Sequence, residues 1–142
     1  MLSQGEGVPT MTPAHEAIDD VKTRFVSALF AGDWDTMATL VHPDFELREP
    51  AALPYGGIYK GIDGFKKCWE LIHQAAHKTD YLTTLHNYFT MDADRIVVEL
   101  DWAGTVHETG EQAKSKVMEQ FEFRDGKIIA ITLYWFNIPA YE

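Results

Sequence analysis

The spacing of apolar residues changes along this chain from a helical period to an alternating one, and this change constrains the fold. Apolar residues recur at helical spacing over residues 14–41 and 62–77, whereas residues 44–49 and most of the chain after residue 81 alternate. The first pattern is typical of amphipathic helices and the second of half-buried strands. The order therefore predicts an α+β fold, with three N-terminal helices packed on one face of a curved antiparallel sheet.

Capping residues set the expected ends of the first two helices. Thr12-Pro13 is typical of a helix start, since a hydroxyl cap precedes a proline at the first helical position. Gly32 is expected to end this helix, and Asp33 to cap a second, short one. His42-Pro43 predicts the end of the second helix, because the residue before a proline avoids the helical region.

Proline and glycine mark the expected loops. A strand is predicted from Asp44 to Glu49, and the stretch 50–61 is predicted to be a loop because it holds two prolines and three glycines. A third helix follows over residues 62–77. Among the later strands, Arg124-Asp-Gly126 predicts a hairpin turn, since Asp-Gly between apolar runs favours positive backbone φ angles.

Composition excludes several classes of partner. The 142 residues carry 22 acidic and 12 basic side chains, a net charge of −10, and the nearest approach to a basic cluster is Lys66-Lys67. We therefore expect no binding to nucleic acid or to anionic membranes. The single cysteine, Cys68, excludes an internal disulfide and a cysteine-based zinc site. We expect no metal and no cofactor.

The length fits one domain, and the termini suggest no targeting segment. We expect residues 1–11 to be a flexible tail and residues 12–142 to form a single domain. The N-terminus has neither the basic region nor the apolar core of a signal peptide. No apolar run approaches the ~18 residues of a membrane span. A cytoplasmic protein is the prediction.

Two glutamates break the pattern of the predicted strands. Glu49 shares a strand face with Phe45 and Leu47, and Glu119 shares one with Val117 and Phe121. Alternation thus places two carboxylates on the apolar side of the sheet, where an unpaired charge is costly. One alternative is a register error near a strand edge or a cation partner at a rim. The other is a polar pair in an apolar pocket, where desolvation lets a carboxyl exchange a proton near neutral pH.

Four short stretches resemble the nuclear transport factor 2-like superfamily, which includes ketosteroid isomerases and SnoaL-like polyketide cyclases. Their order and spacing cover most of the chain from Val21 to Phe136. The resemblance implies a cone-shaped α+β fold, and a homodimer formed through the outer face of the sheet. The stretches are Ala31-Gly-Asp-Trp-Asp35, Arg48-Glu-Pro50, Tyr59-Lys-Gly-Ile-Asp-Gly-Phe65 and Tyr134-Trp135.

The same resemblance implies roles for the two glutamates. Glu49-Pro50 matches the isomerase's Asp-Pro, so Glu49 resembles its general base. Glu119 matches the acid that donates a hydrogen bond to the substrate oxyanion. Phe25 stands where the isomerase has an oxyanion tyrosine, so half of that oxyanion hole is missing. Tyr55 and Tyr59, in the longer loop, are candidates to supply a hydroxyl instead.

Histidines offer a second set of candidates. SnoaL-like cyclases and related dehydratases pair an acidic residue with a histidine, for which His86 and His107 are the candidates here, although each also fits a surface position. His73 and His77 stand four residues apart on the third helix, which is a metal-binding spacing. They lack further ligands, and a solvated helix face is favoured.

These observations predict a cofactor-independent isomerase, cyclase or dehydratase. It would act by carboxylate proton transfer on a small hydrophobic molecule that carries a carbonyl group. The alternative is a non-catalytic module of the same fold that binds a small ligand or assembles with a partner. The catalytic residues would be Glu49 and Glu119. The predicted pocket residues are Phe25, Trp34, Tyr55, Tyr59, Trp69, His86, Trp102, Phe121 and Trp135.

Overall fold

The computed structural model describes the backbone of residues 12–77, 84–92 and 94–137. Two helices come first in the described part of the chain. Side chains are described for residues 12–76 and 94–137, so the predicted tail over residues 1–11 lies outside the described residues. Helix α1 spans Pro13–Ala31 and helix α2 spans Trp34–Leu40. Thr12 caps α1, and Gly32 ends it with a left-handed φ of 70°, which confirms both predicted ends.

Strand β1 spans Val41–Glu49 and begins directly after α2. We predicted that His42-Pro43 separates the second helix from a strand starting at Asp44, so the strand begins three residues earlier than predicted. The pairing register of β1 shifts between Val41 and Glu46. Pro43 therefore lies where the ladder is interrupted, and a strand tolerates proline there because no amide donor is needed.

The prediction of a loop over residues 50–61 is wrong in its second half. Strand β2 spans Gly57–Lys60 and pairs antiparallel with β1. Glycine disfavours strands locally, but pairing with a neighbouring strand overrides that preference. The true loop is short and tight, because Leu53 N donates to Pro50 O at 3.1 Å and Gly56 N donates to Leu53 O at 2.9 Å. A Cβ at Gly56 would collide with Pro50 O.

Helix α3 spans Gly61–Ala75 and buries Phe65, Cys68 and Ile72, as its apolar stripe predicts. It ends two residues before the predicted limit. Ala76–His77 instead forms a short strand, β3, that pairs with a later strand of the sheet. Pairing with that strand takes the place of a further helical turn.

Strand β4 (Thr84–Asp92), strand β5 (Arg95–Val106), strand β6 (Gln112–Arg124) and strand β7 (Lys127–Trp135) complete the sheet. Within the described residues the strand order is β2-β1-β7-β6-β5-β3, with β4 also paired to β5. The β1–β7 pair is parallel and was not predicted; the other pairs are antiparallel. Positive φ angles at Asp125 and Gly126 confirm the predicted hairpin turn.

The helices cover one face of this sheet, and the described side chains of β6 on its other face are exposed or partly exposed. Helix α3 packs on β1 and β2, and helix α1 contacts β7. On the opposite face, Lys116 pairs with Asp101 at 3.3 Å, while Met118 and Tyr134 lie directly across from each other and are largely exposed. None of the described helices combines the length and apolarity that crossing a membrane requires. The compartment stays a prediction, as does the homodimer.

Candidate functional site

A cavity of about 410 Å³ lies between the helices and the covered face of the sheet. Its volume falls within the roughly 300–1,000 Å³ of small-molecule sites in proteins. Its walls are mainly aromatic and aliphatic side chains contributed by α1, α3, β1, β5, β6 and β7. Such walls exclude water from whatever enters, which strengthens any electrostatic interaction made inside.

Glu49 lines this cavity from the last residue of β1. Its Oε1 accepts a hydrogen bond from the Trp135 indole Nε1 at 3.1 Å. The Trp135 ring meets the Trp102 ring edge to face, with centroids 5.3 Å apart. An N–H donor stabilises the charged form of a carboxylate, and the packed ring pair holds that donor in place.

Glu119 lines the same cavity from the middle of β6. Its neighbours across the sheet are Val98 on β5 and Leu133 on β7, and both also line the cavity. The carboxylate therefore lies in an apolar wall, half-buried rather than fully exposed. Desolvation in such a wall disfavours the charged form of a carboxyl group.

One strand separates the two glutamates. Leu133 pairs with Glu119 on one side, and the parallel register Arg48↔Thr132 brings Glu49 beside Leu133 on the other. Two strand spacings of roughly 4.8 Å put the two backbones about 10 Å apart. Both residues line the cavity, so a molecule that fills it lies against both.

The structure places most, but not all, of the predicted pocket residues around this cavity. Those that line it are Phe25, Tyr55, Trp69, Trp102, Phe121 and Trp135. Trp34 and Tyr59 do not line it. Trp34 packs against Phe65 at a centroid distance of 6.1 Å and borders a shallow groove on the helical side. Its ring is only partly buried, because it lies at the start of a helix that covers the core.

Tyr59 supports the loop that carries Tyr55. The Tyr59 hydroxyl donates to Tyr55 O at 2.9 Å. Burial raises the pKa of the Tyr59 phenol, with further increases from the Cys68 thiol and the Glu49 carboxylate. The Tyr59 proton is therefore engaged with the loop, whereas Tyr55 is 1% exposed and forms part of the cavity wall.

The histidine candidates lie away from the cavity or beyond the described side chains. His86 lies on β4, where the structure describes the backbone but not its side chain, so the prediction for His86 stays a prediction. His107 is exposed, and its Nε2 lies 2.8 Å from His73 O near the end of α3. Within residues 12–76 and 94–137, no group of three or more His, Cys, Asp or Glu side chains is arranged to hold a metal ion.

Sequence reasoning missed several residues of the cavity wall, of which Lys22 is the most polar. Lys22 follows Val21 and precedes Val26 and Leu29 at helical spacing, so it borders the apolar stripe of α1. That spacing is the signal by which it could have been found. Leu133 was missed as well, although it alternates with Trp135 along β7.

A family comparison matches most of this chain. The description of the matching family is SnoaL-like domain, and the match covers residues 23–131. No curated protein matches the sequence. The sequence stretches that carried the resemblance to the nuclear transport factor 2-like superfamily lie largely within the matched residues.

Solved structures match the fold at low sequence identity. An NTF2-like protein from Burkholderia xenovorans has a TM-score of 0.75 at 17% identity, over 89% of this chain and 92% of that chain. A protein from Jannaschia, provisionally named a SnoaL-like polyketide cyclase, has a TM-score of 0.73 at 14% identity, over 90% and 91%. TerC, crystallised with polyporic acid, has a TM-score of 0.69 at 17% identity, over 84% and 91%. These similarities confirm the predicted cone-shaped α+β fold.

Proposed function

This chain belongs to the SnoaL-like domain family, and we propose that it is a cofactor-independent isomerase, cyclase or dehydratase. One observation carries the proposal: Glu49 and Glu119 line the same apolar cavity from two strands of the sheet. A purely apolar binding site would gain nothing from burying two carboxyl groups. The provisional name of the Jannaschia relative, a polyketide cyclase, supports the same class of chemistry.

The two glutamates take different roles in this proposal. The Glu49 carboxylate removes a proton from the carbon next to a substrate carbonyl, and the electron pair moves onto the carbonyl oxygen. Glu119, in its protonated form, donates a hydrogen bond to that oxygen. The Glu49 carboxylic acid then returns the proton to the same or another carbon. An oxyanion donor of this kind lowers the barrier by ~2.7–4 kcal/mol.

The indole of Trp135 holds the base in position. Its N–H donates to Oε1 of Glu49 at 3.1 Å, and Glu49 lines the cavity. A hydrogen bond of this kind favours the charged form of a carboxyl group, which is the form that a base requires. Tyr55 also lines the cavity, and in this proposal its hydroxyl replaces the oxyanion donor that Phe25 lacks.

Hydrogen exchange in a simple ketone tests this proposal without knowledge of the natural substrate. In deuterated buffer, NMR follows exchange of the C1 hydrogens of 2-tetralone, whose bicyclic body suits the cavity volume. We expect the wild-type protein to accelerate exchange, and Glu49→Gln to reduce that acceleration about 10²–10⁴-fold. Glu119→Gln should reduce it about 10²–10³-fold.

The control variant is Glu122→Gln. Glu122 belongs to the same strand as Glu119 but accepts a hydrogen bond from Arg48 at 3.2 Å on the outer face. This variant removes the same charge outside the cavity, so its exchange rate should equal that of the wild type. Equal rates for the wild type, Glu49→Gln and Glu119→Gln would overturn the proposal.

A non-catalytic binding module is the second candidate, and Phe25 favours it. Phe25 is 1% exposed, lines the cavity and offers no donor where an isomerase would place one. In that case 2-tetralone would bind in the cavity and no exchange would be accelerated. The assay therefore separates the two candidate functions.

A further inference from the structure

Ser115 is a polar residue at an apolar position of β6. It alternates with Ala113 and Val117 on the covered side of the strand, and among the described residues it is the one buried polar residue. A buried hydroxyl group costs free energy unless it is hydrogen-bonded, and serine lacks the branched or aromatic side chain that strands favour. Its presence here therefore depends on a specific partner.

That partner is Asn137, two residues past the end of β7. The Ser115 Oγ donates to Asn137 O at 2.8 Å and accepts the Asn137 N–H at an N–O distance of 3.4 Å. Lys116 O and Asn137 Oδ1 are further acceptors for its proton, at 3.1 and 3.2 Å. The Asn137 Nδ2 donates in turn to Lys114 O at 3.2 Å. The two side chains form a clamp, the Ser115–Asn137 clamp, between β6 and the chain that follows β7.

The Ser115–Asn137 clamp lies beside the residue that contacts the proposed base. Strand β7 ends at Trp135, which pairs with Val117 in the last rung of the β6–β7 ladder. Beyond that rung, the Phe136 N–H donates to Lys116 O at 2.8 Å, and the clamp follows one residue later. Chain ends that lack such contacts open locally at little cost in free energy. The clamp therefore holds the backbone of Trp135 against β6.

The hydrogen bond between Trp135 and Glu49 joins two strand ends, because each is the last residue of its strand. The indole Nε1 lies 3.1 Å from Oε1 of Glu49. Ser115 also pairs across the sheet with Trp102, whose ring packs on the Trp135 ring. A shift of the Trp135 backbone would distort the bond to Glu49, and hydrogen bonds weaken steeply as they depart from linear geometry.

We propose that Ser115 and Asn137 are positioning residues, which hold Trp135 so that its indole N–H stays on the Glu49 carboxylate. Neither residue lines the cavity, so each acts through Trp135. Their part in catalysis rests on the proposed function, because it takes Glu49 as the base. The placement of Trp135 is independent of it, because the contacts exist with or without a reaction.

The indole N–H resonance of Trp135 tests this role without a substrate. In a nitrogen–proton NMR spectrum it is the peak that Trp135→Phe removes, and we expect Glu49→Gln to abolish its pH dependence. An N–H bond to a carboxylate favours the charged form, so weakening that bond raises the proton affinity of Glu49. Ser115→Ala and Asn137→Ala should each raise the midpoint of the Trp135 titration by about 0.3–1 pH unit, a two- to tenfold gain in proton affinity.

A matched variant separates positioning from general stability. Thr39→Ala removes another hydroxyl that donates to a backbone carbonyl, Thr36 O at 2.7 Å, on α2 and outside the cavity wall. It should leave the Trp135 peak and its midpoint at wild-type values, even if the melting temperature falls. These three alanine variants keep the other titratable groups near Glu49, so these groups do not account for a difference in midpoint. They are Lys22, Tyr55, Tyr59 and Glu119.

The exchange assay gives the catalytic readout. In Ser115→Ala and Asn137→Ala, the pH at half-maximal exchange in 2-tetralone should rise by the same amount as the NMR midpoint. If the wild type does not accelerate exchange, the proposed function fails, and the NMR midpoints still decide whether the clamp places Trp135.

Three results would overturn the proposal. The first is a wild-type Trp135 peak and midpoint in both clamp variants, which would reduce the clamp to a stabilising contact. The second is an equal change in Thr39→Ala. The third is a pH dependence of the Trp135 peak that survives Glu49→Gln. Asn137 is exposed, so Asn137→Ala decides the matter if Ser115→Ala fails to fold.

Discussion

Replacing Glu49 by glutamine shows whether its carboxylate serves function or stability, because the two roles predict different changes in the free energy of unfolding. Glu49 is half-buried and accepts the Trp135 N–H at 3.1 Å. Glutamine keeps an oxygen acceptor, so the bond changes from a charged type, about 1.5–3 kcal/mol, to a neutral type, about 0.5–1.5 kcal/mol. The loss of about 1–1.5 kcal/mol is partly offset, because a charge no longer has to be desolvated. The free energy of unfolding should fall by less than about 1.5 kcal/mol.

Thermal melting at pH 7, followed by circular dichroism, measures this change. For a domain of this size we expect a melting temperature within about 6 °C of the wild type. Glu119→Gln should behave in the same way. Glu122→Gln is again the control. It removes the ion pair between Glu122, whose side chain is 30% exposed, and Arg48, whose side chain is 41% exposed.

A structural ion pair would give a different result. Removing one partner of a buried pair leaves an unpaired charge and costs about 3–5 kcal/mol. The melting temperature would then fall by more than about 10 °C in both glutamine variants. Such a loss would refute the reasoning that these two carboxyl groups serve a ligand rather than the scaffold.

Four further predictions concern stability, chemistry and assembly. Phe25→Tyr should shift the melting temperature by only a few degrees, because the added hydroxyl can point into the cavity; a large loss would indicate a close-packed site. Tyr55→Phe should slow exchange in 2-tetralone without a comparable loss of binding if Tyr55 donates to the oxyanion; an unchanged rate would exclude that role. Hydrogen bonds from Thr36 hold the pKa of Asp33 below its ordinary value of 3.8. Asp33→Ala should therefore melt lower at pH 7, and this difference should shrink as the pH falls through the lowered pKa, whereas a constant difference would contradict the assignment. Sedimentation should give twice 16.1 kDa at micromolar concentration, and a clean monomer would contradict the predicted homodimer.

The placement of the two glutamates follows from the sequence alone. Alternation fixes which face of a strand each side chain occupies, so Glu49 with Leu47 and Glu119 with Val117 had to share the apolar side. The apolar stripe of each helix likewise determines which side of that helix packs against the sheet. These local periods are enough to predict that both carboxyl groups face the layer between helices and sheet.

Other features depend on contacts between distant parts of the chain. The parallel pairing of β1 with β7 and the strand at Gly57–Lys60 both require a partner that local patterns do not reveal. Trp34 belongs to the apolar stripe of a helix, which predicts a position in the cavity wall. Its place at the start of α2 instead puts it beside the surface groove. The position of Lys22 in the cavity wall depends on how α1 packs, which local patterns do not reveal.

A crystal structure with bound 2-naphthol tests most directly whether both glutamates face one reacting molecule. This phenol has the shape of the enol of 2-tetralone, and its oxygen occupies the position of the enolate oxygen. We predict that it lies in the cavity with its oxygen about 2.7–2.8 Å from a Glu119 carboxyl oxygen, and with the carbon next to the C–O carbon beside Glu49. Binding outside the cavity, or inside it with the oxygen away from Glu119 and the ring away from Glu49, would contradict the proposed roles.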